Sequence, residues 1–270
     1  MFCKGIVSLH DILFESHPQY FSKSFVLRSK LLMRWSASRA HKIFTISSFS
    51  KDEICNRYKV AYEKIDLAYC GVSTTKYFPG SDGINYLKNR GLISKGYILY
   101  VGRLDPRKNL INMIKAYSMT SMQLPIVLVG QEGFGTQELH KTIDEIGIRN
   151  KVFFISDADD SELGALYRHS ACFVFPSFAE GFGLPILEAM ASGVPIITSN
   201  TTSLPEVAGD AGILVNPKST EEIAESINHI LGSKNYENLL VEKGFEQVKK
   251  FSWETSAELV AEFYLQRGNG

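Results

Sequence analysis

From Tyr97 onward one unit recurs: a short, unbroken apolar run, then a stretch whose apolar residues return at helical spacing. The runs fall at 97–101, 126–129, 152–155, 172–175, 194–197 and 213–215, with helices expected near 109–118, 136–146, 161–169, 185–192 and 220–231. A shorter segment at 204–208 precedes the sixth run, and a last helix is expected at 254–266. Strands that are apolar on both faces must be covered on both faces, and alternating helices do this for a parallel sheet. The expected class is therefore α/β, with a doubly wound parallel sheet.

In such a sheet ligands bind beyond the carboxyl ends of the strands. The candidate residues obey that rule. Gly102 and Arg103 follow the first run, with Arg107 and Lys108 closing the same loop; Gly130 follows the second, Ser156 and Asp157 the third, and Glu180 the fourth. The fourth loop carries the most chemistry. Gly181 and Gly183 remove side chains that would hold a ligand off the backbone, Pro185 suits a first helical turn, and Gly193 suits a left-handed helix stop. Glu180 and Glu188 flank the amide donors that open this helix. Taken singly, Glu188 could complement a helix dipole and the glycines could shape a turn. Together they suit a phosphate on the amides and sugar hydroxyls on the carboxylates, which describes a sugar nucleotide.

The amino-terminal part is less regular. Strands are expected at 5–9, 42–46 and 65–69, and helices at 24–40 and 52–58, the second capped from 47–50. The helix at 24–40 carries Arg28, Lys30, Arg34 and Arg39 beside Val26, Leu27, Leu31, Leu32 and Trp35. It can lie on an anionic membrane surface, or pack on a core with a solvated basic face. A glycine-bearing connection with a short helix near Tyr86 places a domain boundary near residue 90. Three strands are too few for a complete domain and leave a parallel sheet edge open.

Several stretches resemble the family 4 retaining glycosyltransferases of the GT-B superfamily, the glycosyl transferases group 1. The stretch from Glu180-Gly-Phe-Gly-Leu-Pro to Glu188 resembles their signature loop, and Leu99-Tyr-Val-Gly-Arg-Leu-Asp-Pro-Arg-Lys-Asn109 is similar to their diphosphate loop. The likeness continues at Tyr167, Pro176-Ser177, Ser199-Asn200, 204–211 and 251–253, and more loosely at His10-Asp11 and 46–51. Cys70 and Ser73 depart from the family's usual asparagine and aspartate, and Ser156 stands where a glycine is usual beside the base pocket.

The resemblance implies a GT-B fold with a complete carboxyl-terminal Rossmann-like domain at 91–253, a partial amino-terminal, acceptor-side one at 1–90, and a last helix at 254–270 packing back on the amino-terminal part. The glycine-rich loop expected ahead of His10 is missing, so an amino-terminally truncated transferase is expected. Catalytic roles are implied for His10, Arg103, Lys108 and Glu180. Donor binding is implied for Gly102, Arg103, Lys108, Ser156, Glu180, Gly181, Phe182, Gly183, Leu184 and Glu188. The implied substrate is a nucleotide-diphosphate sugar, GDP-mannose or a UDP-sugar, with a saccharide or lipid-linked oligosaccharide acceptor, in polysaccharide assembly of the lipopolysaccharide O-antigen kind. A different class of function is also open: an inactive or partner-dependent sugar-nucleotide-binding module.

Composition narrows the alternatives. The 29 basic and 29 acidic residues cancel, which argues against nucleic acid as a partner. Cys3, Cys55, Cys70 and Cys172 form no CxxC pair, so reduced thiols are expected. No apolar run approaches the ~18 residues of a membrane span, and a cytoplasmic protein, with contact at the inner face of the plasma membrane, is expected. No cofactor is expected, and no metal: His41, His140, His169 and His229 lack ligand spacing. Asp157-Ala-Asp159 resembles the metal-binding pair of the other glycosyltransferase fold, GT-A, but Asp159 with Glu162 reads better as a capping box. Gly130-Gln-Glu-Gly-Phe-Gly135 has the wrong spacing for a dinucleotide fingerprint.

Overall fold

The computed structural model describes residues 5–121 and 124–268, so Cys3 lies outside the described residues. Contacts divide the chain into two units. One holds the chain up to Gly71, the stretch Ala179–Gly183 and the carboxyl-terminal stretch from Phe251; the other holds Val72–Phe178 and Leu184–Lys250. Composition breaks near residue 90, but helix Ile84–Asn89 packs on helix Asp160–Arg168 inside the second unit. The Arg168 guanidinium donates to the carbonyls of Phe78 and Asp82, which draws the preceding segment into that unit too. The division therefore falls at Gly71, where a Cβ would overlap the backbone of Trp253.

The first unit has three short parallel strands, β1 (Ile6–Ser8), β2 (Lys42–Thr45) and β3 (Ile65–Leu67), in that order. Val7 pairs with Ile43, and Ile43 with Ile65. Its core gathers Leu9, Ile12, Ile43, Ile54 and Ile65. Ser47 caps helix Ser48–Tyr58 by accepting the Ser50 amide at 3.0 Å, so the helix starts four residues before the expected 52. The last helix, Trp253–Gly268, belongs here: Ser256 Oγ donates to the Tyr69 carbonyl, and Phe263 meets Phe44 edge-on at 5.9 Å.

Helix Lys23–Arg39 buries little of its apolar content. Its buried positions are Ser29 and Ala37, with Val26 and Met33 partly buried against the core. Phe25, Leu27, Leu31, Leu32 and Trp35 are 41–65% exposed. The apolar residues exceed one helical face, and the inward face goes to the smaller side chains.

In the second unit β4 (Ile98–Val101), β5 (Ile126–Val129), β6 (Val152–Ile155), β7 (Cys172–Phe175), β8 (Ile196–Ser199) and β9 (Gly212–Val215) form one parallel sheet, ordered β6-β5-β4-β7-β8-β9. Every residue of β4, β5, β7 and β8 is buried. The connections run outward in both directions from β4 and β7, which pair through Ile98–Cys172 and Leu99–Phe173, so the topological switch point lies there. β8 begins two residues later than the apolar run suggests, because the Val194 amide closes the preceding helix on the Ala189 carbonyl and Pro195 has no amide to donate. Gly193 provides the expected helix stop at φ +70°.

Helix Lys234–Val248 has no counterpart in the sequence reading. Its charged residues hide the pattern, since only Leu240, Gly244, Gln247 and Val248 are buried. Gly244 comes close to Met190, and the Gln247 amide donates to the Val207 carbonyl at 3.1 Å. Polar and small residues do the docking that apolar periodicity would have announced.

Candidate functional site

At the carboxyl ends of β4, β5 and β6 the second unit opens a cleft of about 550 Å³, lined by Gly102, Arg103, Gly130, Gln131, Ser156 and Leu163 among others. Two glycines create it. Gly102 (φ +146°) and Gly130 (φ +147°) hold backbone conformations that disfavour side chains, and a Cβ on Gly130 would collide with the Gly102 carbonyl. The Gln131 amide donates to the Ser156 carbonyl at 2.7 Å, tying two walls together. Gly102, Arg103 and Ser156, three of the expected donor residues, thus share one cleft.

The loop after β4 is pinned at its far end. Asp105 caps the short turn Pro106–Lys108 by accepting the Arg107 amide at 3.1 Å. Asn109 adopts the left-handed conformation and donates through Nδ2 to the Pro176 carbonyl at 2.9 Å and the Pro217 carbonyl. The Phe178 amide donates to the Arg107 carbonyl at 2.9 Å. The Lys108 side chain is buried, with Nζ 4.9 Å from the centre of the Phe175 ring. Phe175 ends β7 and stacks on Tyr100 of β4, so this ammonium sits at the switch point.

Leu184–Ala191 is the helix after β7, with Pro185 in its first turn. The segment before it is fastened to β8 by Thr198 and Ser199, whose hydroxyls donate to the carbonyls of Phe175 and Ser177. On the helix, Glu188 is half-buried, and its Oε2 accepts the Tyr167 hydroxyl at 2.8 Å. Tyr77, whose ring meets that of Tyr167 edge-on at 5.6 Å, lies beside the same carboxylate. Burial raises the Glu188 pKa, while the two hydroxyls and Lys76 pull it down. Burial likewise raises the pKa of both tyrosines, helped by the carboxylate's charge. The Tyr167 hydroxyl occupies one of the carboxylate's roughly four acceptor sites.

The stretch Ala179–Gly183 belongs to the first unit. The Gly181 carbonyl accepts the hydroxyls of Ser47 at 2.8 Å and Ser50 at 3.3 Å. A Cβ at Gly181 would collide with the Asp11 carboxylate, so the bare position here makes room for the His10-Asp11 pair. Phe182 is buried between Tyr69 (6.2 Å) and Phe251 (5.6 Å), a packing role that accounts for an aromatic at this place. Gly183 has φ +116°, and Glu180 is buried. His10 is exposed and borders an apolar cavity of about 560 Å³ walled by Phe44, Ile46, Trp253 and Val260.

Asp159 and Glu162 make the expected capping box, and the backbone amides on Asp159 lower its pKa. Asp157 pairs with Arg90 at 2.8 Å. Among the described residues no group of three His, Cys, Asp or Glu side chains could hold a metal ion. Sequence reasoning missed the contacts of Tyr77, Asp11 and Ser47; only the adjacency of Asp11 to His10 and the serine-rich cap hinted at the last two.

Two units, each built on a parallel sheet and the second with the strand order of the doubly wound nucleotide-binding sheet, define a GT-B glycosyltransferase fold. The chain belongs to the glycosyl transferases group 1, whose family model matches residues 88–247. It is 34% identical over 257 residues to O-antigen chain mannosyltransferase B of Escherichia coli, covering 93% of this chain and 67% of that protein. It is 29% identical to O-antigen chain mannosyltransferase RfbU of Salmonella typhimurium, covering 83% of this chain and 60% of that one. The chain therefore spans about two thirds or less of these relatives. Among solved structures, Anabaena Alr3699/HepE in complex with UDP and glucose superposes at a TM-score of 0.84 with 24% identity, over 96% of this chain and 70% of that one.

Proposed function

We propose that the protein is a retaining, metal-independent hexosyltransferase that moves mannose from a nucleotide-diphosphate sugar to a saccharide or lipid-linked acceptor during surface-polysaccharide assembly. GDP-mannose is the donor this reading favours, with a UDP-sugar as the alternative. The names of the mannosyltransferase relatives support the sugar, and the UDP complex of the Anabaena protein supports the donor type.

The observation that carries the reading is the pairing, in one unit, of a glycine-walled cleft at Arg103 and Ser156 with a carboxylate, Glu188, held by the Tyr167 hydroxyl. In the proposed roles the base enters the cleft beside Ser156, and Glu188 accepts the ribose hydroxyls. Arg103 and Lys108, with the Gly102 backbone, take the charge that grows on the departing diphosphate. Glu180 holds the donor hexose, with the backbone of Gly181, Phe182, Gly183 and Leu184 beside it, and His10 serves near the transferred sugar. The bond between the sugar's anomeric carbon and the diphosphate oxygen breaks, and a bond to the acceptor oxygen forms on the same face. The acceptor proton leaves with the diphosphate.

The reading includes contact with the inner face of the plasma membrane. No helix among the described residues is long and apolar enough to cross a membrane. Helix Lys23–Arg39 instead exposes Leu27, Leu31, Leu32 and Trp35 beside five cations and no acid, the pattern of a surface-lying helix.

The second reading, a sugar-nucleotide-binding module, is favoured by the three-stranded sheet of the first unit. Donor turnover with lipid-linked acceptor, run beside calorimetry with UDP- and GDP-sugars, separates the two: transfer supports the enzyme, and binding without transfer supports the module. Unchanged kcat/KM in both Glu188→Ala and Lys108→Ala variants would remove the proposed donor site.

A further inference from the structure

The turn Pro106–Lys108 and the helix Leu110–Ser118 meet at Asn109, which is buried and holds φ +61°. That left-handed conformation strains most side chains; glycine takes it freely and asparagine tolerates it. Backbone shape alone would therefore be served as well by glycine. What asparagine adds is its amide, whose two hydrogens are both used. Nδ2 donates at 2.9 Å to the Pro176 carbonyl after β7 and at 2.6 Å to the Pro217 carbonyl after β9. One position earlier than Lys108, the Arg107 carbonyl accepts the Phe178 amide at 2.9 Å. Lys108 thus lies between two bonds that tie its loop to residues 176–178, and its ammonium sits over the ring of Phe175, the last residue of β7.

We infer that Asn109 is a positioning residue for the donor's diphosphate: its amide clamps the backbone of Lys108 against the end of β7, so that the ammonium meets the phosphates at the switch point. This rests on the reading of Lys108 as a diphosphate contact. A lysine is a compact charge on a flexible stem, and its reach is set by what fixes the stem at each end. The Phe175 ring fixes the far end, and the Asn109 amide fixes the near one. A glycine at 109 would keep the backbone shape and remove the clamp. The Pro217 carbonyl would still accept the Asn112 amide at 3.2 Å, so the loss falls on the tie to Pro176, the one beside Lys108. A nucleoside monophosphate lacks the outer phosphate and engages the ammonium less. The effect of Asn109 is therefore selective for diphosphates, and it is exerted through Lys108.

The test is calorimetric binding of GDP, UDP, GMP and UMP to the wild-type protein and to Asn109→Gly, Asn109→Ala, Asn112→Ala, Lys108→Met and the double variant Lys108→Met/Asn109→Gly. Thermal unfolding checks that each is folded at the temperature used, and the two changes at 109 give two chances of a folded protein. The expected result for Asn109→Gly is about a tenfold loss of affinity for the diphosphates, the worth of one hydrogen bond to a charged group. The loss for the monophosphates is smaller, so the preference for diphosphate shrinks. Asn109→Ala loses at least as much, and Asn112→Ala binds like wild type. The double variant binds no more weakly than Lys108→Met, because the clamp acts only through that ammonium. Diphosphate binding like wild type in Asn109→Gly, with Lys108→Met impaired, overturns the inference alone. Equal loss for mono- and diphosphates, or losses that add in the double variant, also overturns it and marks Asn109 as merely structural. Lys108→Met binding the diphosphates like wild type, or no nucleotide binding by the wild-type protein, sinks the underlying reading and the inference with it.

Discussion

The Tyr167 hydroxyl donates to Oε2 of Glu188 at 2.8 Å, joining helix Asp160–Arg168 to helix Leu184–Ala191 through a carboxylate that burial would rather see neutral. The cost of that arrangement has a sign. A carboxylate whose folded pKa is raised stabilises the fold fully below its unfolded value, about 4.3, and that contribution is lost as pH rises through the folded value. Glu188→Gln, which mimics the neutral form, is therefore expected to raise Tm above wild type at pH 8, with the gap closing near pH 4. Thermal unfolding across that range checks it; a variant less stable than wild type at pH 8 contradicts it. Stability gained with donor affinity lost marks a residue kept for function.

Lys108 is expected to act on the departing diphosphate. Lys108→Met keeps the packing of the buried stem against Phe175 and removes the charge. The expected result is a fall in kcat of about a hundredfold or more, with a smaller change in donor KM. Steady-state kinetics checks it, and a change confined to KM contradicts the assignment. The same measurement on Arg103→Ala reports the other member of the pair.

Gly181 is bare because Asp11 lies against it. Gly181→Ala is expected to destabilise the first unit by about 1–3 kcal/mol, the usual cost of overpacking. In combination with Asp11→Gly the added cost shrinks, because the nearest colliding atoms are gone. A double-mutant cycle by chemical denaturation measures this coupling; strict additivity contradicts the contact.

The exposed face of helix Lys23–Arg39 predicts binding to vesicles that contain anionic lipid. Changing Leu31 and Trp35 together to serine removes two large apolar groups that are 65% and 59% exposed. Vesicle affinity is expected to fall more than about tenfold, from the ~1.5–3 kcal/mol each buried side chain contributes, with folding unaffected. Co-sedimentation at low and high salt checks both parts, since the cationic share weakens with salt. Equal binding by variant and wild type contradicts the membrane role.

The second unit was legible because its signals are local. Continuous apolar strands such as Ile126–Val129 and capping pairs such as Asp159 with Glu162 declare themselves within a few residues. The carboxyl-edge rule then gathered Gly102, Arg103 and Ser156 correctly into one cleft. What stayed hidden depends on contacts between distant positions. Helix Lys234–Val248 docks through Gly244 and Gln247, which carry no apolar period. Tyr77 reads as an ordinary aromatic near a Phe-Pro-Gly breaker until the fold brings it to Glu188. The face that helix Lys23–Arg39 buries was left open for the opposite reason: its sequence offers more apolar residues than one face can bury.

The central claim is that a sugar nucleotide lies along the carboxyl edge of the second sheet, with its ribose on Glu188. A crystal structure of the protein with GDP or UDP tests it most directly. The account predicts both ribose hydroxyls within hydrogen-bond distance of the Glu188 carboxylate, the base in the cleft beside Ser156, and the diphosphate near Arg103 and Lys108. A nucleotide bound elsewhere, with Glu188 still engaged only by Tyr167, would contradict it.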